Sequence, residues 1–137
     1  MQTKIGKIYS ENGFFCPLEA ITEAEAKELR KDYEAAEEDL QGDLDRLALL
    51  KAYPNRLLPS FDTLTRNKTL VDAAKEILGK NILVWSAALF IKEAQSSKIV
   101  SWHQDLTYWR LNDIKEVTSW FAVSSAQKEA GCMKFIP

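Results

Sequence analysis

The sequence predicts an α+β fold in which N-terminal helices pack on an antiparallel sheet. Two observations support this prediction. Residues that begin and end helices are concentrated before residue 80, whereas β-branched and aromatic residues dominate four later runs. Loops rather than helical segments join those runs, which favours antiparallel pairing as in a jelly roll. We therefore expect a single domain, 1–137, with a helical region over about 1–79 and the first jelly-roll strands over about 80–137.

Two segments of the helical region carry clear end signals. Thr22 and Glu25 form a capping box, in which the threonine hydroxyl accepts from the N–H of Glu25 and the glutamate reaches back. Gly42 ends this helix. Asn67 is a suitable N-cap for a second helix over 68–78.

The segments between these helices are less clearly patterned. Residues 5–9 alternate in polarity, and 14–18 resemble a short strand that a proline ends. Leucine spacing within 43–56 suits a helix that Pro54 ends, and 59–64 suit a single helical turn.

The predicted strands are the four β-rich runs, which lie at 82–91, 99–109, 117–123 and 132–136. Four strands are few for a jelly roll and would leave a long apolar edge exposed. The last run is still in progress at Pro137. We therefore expect the chain to be a C-terminally truncated part of a longer domain.

Composition excludes several classes of partner. The chain has 137 residues, 46% of them hydrophobic, and a net charge of −2. That balance does not favour nucleic acid or an anionic membrane surface as a partner. Residues 82–91, the longest apolar run, are too few to span a bilayer, and the N-terminus lacks the apolar core of a signal peptide. We expect a cytoplasmic protein; no pattern specifies its oligomeric state.

The candidate site lies in the second β-rich run, which holds the only histidine of the chain. His103 is followed two residues later by Asp105. If the run is a strand, the two side chains project from the same face. One imidazole and one carboxylate are two of the three ligands of the facial triad that suits non-haem Fe(II). The simpler alternative is a polar pair whose members are hydrogen-bonded to each other or to neighbours.

Three segments resemble the phytanoyl-CoA dioxygenase family. They are 102–109 (WHQDLTYW), 117–122 (VTSWFA) and 131–137 (GCMKFIP). The resemblance covers nearly the whole chain and is most specific in the second half. It implies an Fe(II)- and 2-oxoglutarate-dependent oxygenase on a double-stranded β-helix, the jelly-roll or cupin-like fold, that acts on a small-molecule substrate.

The resemblance also implies roles for particular residues. His103 and Asp105 match the proximal histidine and the carboxylate that bind iron. Gln104 and Trp120 match positions that line the cosubstrate pocket. Relatives that halogenate carry a small residue in place of the carboxylate, so Asp105 favours hydroxylation. In the family a distal histidine and the arginine that binds 2-oxoglutarate follow the position of Pro137.

Three functional hypotheses follow from the sequence. The first is a dioxygenase that, in its complete form, hydroxylates a C–H bond of a small molecule. This chain would hold half of its metal site and would be inactive alone. The second is a non-catalytic jelly-roll module that binds a small molecule or partner. The third is a truncated product that associates through its open sheet edge.

Overall fold

The structure, a computed structural model, describes residues 4–109 and 111–137. Its regular elements within those ranges are seven α-helices and one short 3₁₀ helix. The α-helices are α1 (Lys4–Asn12), α2 (Glu23–Asp39), α3 (Leu44–Ala52), α4 (Pro54–Leu57), α5 (Pro59–Thr65), α6 (Lys68–Leu78) and α7 (Leu106–Trp109), and the 3₁₀ helix is Lys128–Ala130. None of these described helices combines the length and the apolar character needed to cross a bilayer.

The predicted capping box at the start of α2 is confirmed. The hydroxyl of Thr22 accepts from the N–H of Glu25 at 3.2 Å, and the Glu25 carboxylate accepts from the N–H of Thr22 at 2.7 Å. The Glu25 carboxylate also accepts from the hydroxyl of Thr22 at 2.8 Å. The hydrogen bonds from the N–H and from the hydroxyl of Thr22 lower the pKa of Glu25, because both favour the ionised carboxylate. The helix ends at Asp39 and a turn over 40–42 follows, in which Gly42 has a φ of 81°.

The predicted start of α6 at Asn67 is also confirmed. The side-chain oxygen of Asn67 accepts from the N–H groups of Thr69 and Leu70, at 2.9 and 3.2 Å. Its side-chain N–H donates to the carbonyl of Ala20 at 2.8 Å. This residue therefore caps α6 and joins it to the segment that leads into α2.

Helices α2, α3 and α5 enclose the core. Its buried side chains are Leu29, Tyr33, Leu50, Phe61 and Leu64. The later half of the chain adds partly buried side chains to this cluster, namely Leu89, Phe121 and Val123. The helical half therefore fixes the position of two segments, 82–91 and 117–123, that flank the candidate site in sequence.

The phenol of Tyr33 is the polar group at the edge of this core. It donates to the carboxylate of Glu37, one helical turn later, at 3.0 Å. Burial, and then the hydrogen bond to Glu37 and its negative charge, raise the pKa of the phenol well above its ordinary value. The phenol therefore stays neutral and keeps its hydrogen bond at physiological pH.

The predicted α+β fold with a partial double-stranded β-helix is wrong. No residue within 4–109 or 111–137 belongs to a β-strand. The runs 82–91, 117–123 and 132–136 have no regular structure apart from bends, and the run 99–109 ends in α7. The strand-like piece 14–18 is irregular, and the alternating residues 5–9 are helical in α1.

The prediction failed because a β-rich pattern measures how well side chains suit a pleated surface, whereas a strand also needs a paired backbone. The backbone groups of these runs make local or isolated hydrogen bonds instead. The N–H of Leu89 donates to the carbonyl of Lys51, and the N–H of Tyr108 donates to the carbonyl of Asp105. Apolar side chains that a sheet would bury remain on the surface, with Leu83 81% and Ile99 86% exposed.

We predict that Thr22→Ala lowers the free energy of unfolding by about 1 kcal/mol, because it removes the oxygen that accepts from the N–H of Glu25. Thermal or urea unfolding followed by far-UV circular dichroism measures the change. Thr22→Ser keeps the acceptor and is the matched control. Equal stability of the alanine and serine variants would contradict the proposed role of the cap.

Candidate metal centre

The candidate metal centre is built where irregular chain turns into the short helix α7. His103 lies in the irregular part, and Asp105 occupies the turn directly before Leu106. The N–H of Thr107 donates to the carbonyl of Gln104 at 3.1 Å, which closes this turn. The expected strand is therefore absent, and a tight turn holds the two candidate ligands instead.

The turn brings the two candidate ligands into contact. Nε2 of His103 lies 3.2 Å from Oδ1 of Asp105. Their side chains are 30% and 36% exposed, so the pair is partly open to solvent. The two side chains point toward each other, as expected for a shared face. They do so in a turn, and the strand on which that expectation was based is absent.

A backbone carbonyl orients the imidazole ring. Nδ1 of His103 lies 2.7 Å from the carbonyl oxygen of Ser101. A carbonyl oxygen can only accept, so Nδ1 must carry a proton and Nε2 is the nitrogen directed at Asp105. Two states satisfy the contact. Either an imidazolium donates its second N–H to Asp105, or a neutral ring and the carboxylate share a cation.

Thr118 holds the other oxygen of the carboxylate. Its hydroxyl donates to Oδ2 of Asp105 at 2.5 Å and lies 2.9 Å from a carboxylate oxygen of Glu116. The sequence analysis gave neither Thr118 nor Glu116 a role. No local pattern could have done so, because Thr118 lies 13 residues from Asp105.

Two tyrosines complete the surroundings of the pair. The ring of Tyr108 contacts the imidazole of His103 edge-on, with centroids 5.5 Å apart. Tyr9, in α1, is partly buried. Burial, and then the negative charges of Glu116 and Asp105, raise the pKa of its phenol. The charges of the site therefore act on a residue of the N-terminal helix. Nothing in the sequence indicated this role for Tyr9.

The two residues predicted to line a cosubstrate pocket lie on the surface. The side chain of Gln104 is exposed and makes no hydrogen bond to any residue that the structure describes. Trp120 is 43% exposed. The ring of Trp109, the last residue of α7, contacts that of Trp85, with centroids 6.2 Å apart.

The donor set at His103 and Asp105 fits a divalent metal ion. Two donor atoms that each lie about 2.1 Å from one ion, at an angle of about 90° to 110°, are about 3.0 to 3.4 Å apart, which includes the observed separation. Both ligands also have the supporting hydrogen bonds that metal ligands commonly make, one from Nδ1 and one to Oδ2. Within the described part of the chain, however, no group of three potential ligands converges.

A comparison with known families decides the membership of this chain. The family model described as Phytanoyl-CoA dioxygenase (PhyH) matches residues 9–137. The chain belongs to the phytanoyl-CoA dioxygenase family. The matched range includes His103, Asp105 and Thr118, so the candidate metal centre lies inside it. Membership of the phytanoyl-CoA dioxygenase family confirms the resemblance found in the sequence.

One curated relative covers part of the same region. The Phytanoyl-CoA dioxygenase domain-containing protein 1 homolog of Caenorhabditis elegans is 31% identical over 80 residues. Those residues make up 58% of this member of the phytanoyl-CoA dioxygenase family and 28% of the relative. The matched part is thus less than a third of the relative's length. No solved structure matches the chain.

Proposed function

We propose that this chain provides His103 and Asp105 as two protein ligands of an Fe(II)- and 2-oxoglutarate-dependent dioxygenase that hydroxylates a C–H bond of a small molecule. The observation that carries the proposal is the 3.2 Å separation of Nε2 and Oδ1. The other nitrogen of the imidazole and the other oxygen of the carboxylate each make a hydrogen bond that orients the ligand. Family membership supplies the dioxygenase class.

Each residue of the site has a physical task in this proposal. Fe(II) and 2-oxoglutarate, when bound, supply the oxygen chemistry of C–H hydroxylation. Ser101 holds the imidazole so that its Nε2 lone pair faces the ion, and Thr118 holds the carboxylate so that Oδ1 faces it. The edge of Tyr108 restricts rotation of the His103 ring. The site therefore keeps both donor atoms in place before a metal arrives.

Gln104 and Trp120 are proposed to contact the cosubstrate. Support for Gln104 comes from its position between the two ligands and from a side-chain amide that is exposed and free of hydrogen bonds to the described residues. Such an amide can donate to a carboxylate and accept from a hydroxyl. Support for Trp120 comes from its exposed ring, two residues after Thr118.

A metal-free binding module is the second candidate function. The contact between His103 and Asp105 is equally satisfied by an imidazolium that donates to the carboxylate, which needs no metal. In that case the pair would stabilise the turn before α7, and the exposed aromatic side chains would serve binding. Metal binding separates the two candidates.

We predict that Co(II), a spectroscopic substitute for Fe(II), binds the untagged chain and gives d–d absorption bands. Asp105→Ala should weaken binding by more than the roughly 10- to 100-fold expected for loss of a supporting hydrogen bond, because it removes a ligand. Asp39→Ala, which removes an exposed carboxylate at the end of α2, is the matched control. If wild type and Asp105→Ala bind Co(II) equally, the metal centre is wrong and the binding module is favoured.

We also predict that the 137-residue chain alone does not turn over 2-oxoglutarate or a substrate. Its only histidine is His103, so a second imidazole ligand cannot come from within it. Incubation with Fe(II), 2-oxoglutarate and candidate substrates should yield no succinate above that of a His103→Ala control. Succinate above the control level would show that the chain is an active enzyme by itself.

A further inference from the structure

We propose that Thr118 is a positioning residue of the metal centre, which fixes the Asp105 carboxylate so that Oδ1 is presented beside Nε2 of His103. This inference rests on the proposed function and extends it to a residue that is not itself a ligand. The underlying observation is the hydrogen bond of 2.5 Å from the Thr118 hydroxyl to Oδ2 of Asp105. Its length is typical of a charge-assisted O–H to carboxylate bond.

The carboxylate needs such a restraint because its own torsion does not supply one. The terminal torsion of an aspartate has a broad energy profile, so an exposed carboxylate rotates readily. With Oδ2 of Asp105 held by Thr118, Oδ1 is directed at Nε2, at the 3.2 Å observed. The two donor atoms are therefore kept at a separation that one metal ion can bridge.

The segment that carries Thr118 contacts the helical core. Phe121 and Val123, in the same segment, pack against the core formed by α2, α3 and α5. The hydrogen bond spans 13 residues, so it connects this segment to the turn before α7. The orientation of Asp105 is thus coupled to the helical core.

Glu116 competes for the same hydroxyl. Its carboxylate oxygen lies 2.9 Å from Oγ1 of Thr118, compared with 2.5 Å for Asp105. A hydroxyl carries one proton and can donate to only one of two carboxylates. The shorter distance favours Asp105. Glu116→Gln removes the competing charge and supplies an amide N–H that can donate to Oγ1, which weakens the competition for the hydroxyl proton.

The experiment uses the single histidine as its reporter. The untagged chain labelled with ¹³C-histidine shows one imidazole Cε1–Hε1 resonance, that of His103, whose paramagnetic shift during a Co(II) titration gives an apparent Kd. We expect Thr118→Val to raise this Kd about 10- to 100-fold, the usual effect of losing a supporting partner of a metal ligand. Thr118→Ser keeps the donor and should restore the Kd to within about threefold of wild type.

Two control variants separate positioning from general effects. Thr107→Val makes the same chemical change at an exposed hydroxyl in α7 and should leave the Kd unchanged. Glu116→Gln should also leave it within about threefold, since half-buried Glu116 makes its hydrogen bond to Thr118 and none to either ligand. Thr118→Ala repeats the loss of the hydroxyl with a smaller side chain, and far-UV circular dichroism verifies folding of each variant.

The outcomes distinguish this inference from the proposed function. A shift of the wild-type resonance that is lost in Asp105→Ala, with Thr118→Val and Thr118→Ala binding as wild type, would overturn the role of Thr118 and leave the metal centre intact. If Glu116→Gln raised the Kd as much as Thr118→Val does, the effect would be assigned to local charge, and the role of Thr118 would again be overturned. No shift in wild type would overturn both proposals.

Discussion

The candidate metal centre depends on the hydrogen bond between Nδ1 of His103 and the carbonyl of Ser101. This contact of 2.7 Å decides which ring nitrogen faces Asp105. If the ring flipped about its Cβ–Cγ bond, Cδ2 and Cε1 would take the positions of Nδ1 and Nε2, and the contacts with Ser101 and Asp105 would both be lost. Because Ser101 is only two residues away, the restraint is local. The orientation of His103 is therefore set within the segment directly before α7.

The second ligand is oriented by a non-local contact. Asp105 depends on Thr118, and Thr118 depends on a segment whose side chains pack against the helical core. Tyr9 links α1 to the same environment, since the charges of Asp105 and Glu116 raise the pKa of its phenol. The helical half of the molecule thus contributes to the site indirectly. It packs against the segment that contains Thr118, and Thr118 donates to the carboxylate of Asp105.

Local signals in the sequence predicted the starts of α2 and α6, because caps depend on residues two or three positions apart. Thr22 with Glu25, and Asn67 with α6, are examples. The sheet was wrongly predicted because strand pairing depends on distant backbone that side-chain pattern does not report. The closeness of His103 and Asp105 followed from their spacing, but through a turn rather than a strand. Thr118, Glu116 and Tyr9 could not be predicted, since only the folded chain brings them near Asp105.

The most direct measurement of the central claim is a long-range ¹H–¹⁵N correlation spectrum of the chain labelled with ¹⁵N-histidine, recorded with and without Zn(II) as a diamagnetic probe. Only His103 contributes signals. The account predicts that Nδ1 keeps its proton in the metal-bound chain and that the Nε2 resonance moves to the position of a metal-bound nitrogen. Binding through Nδ1, or no change at either nitrogen, would contradict it.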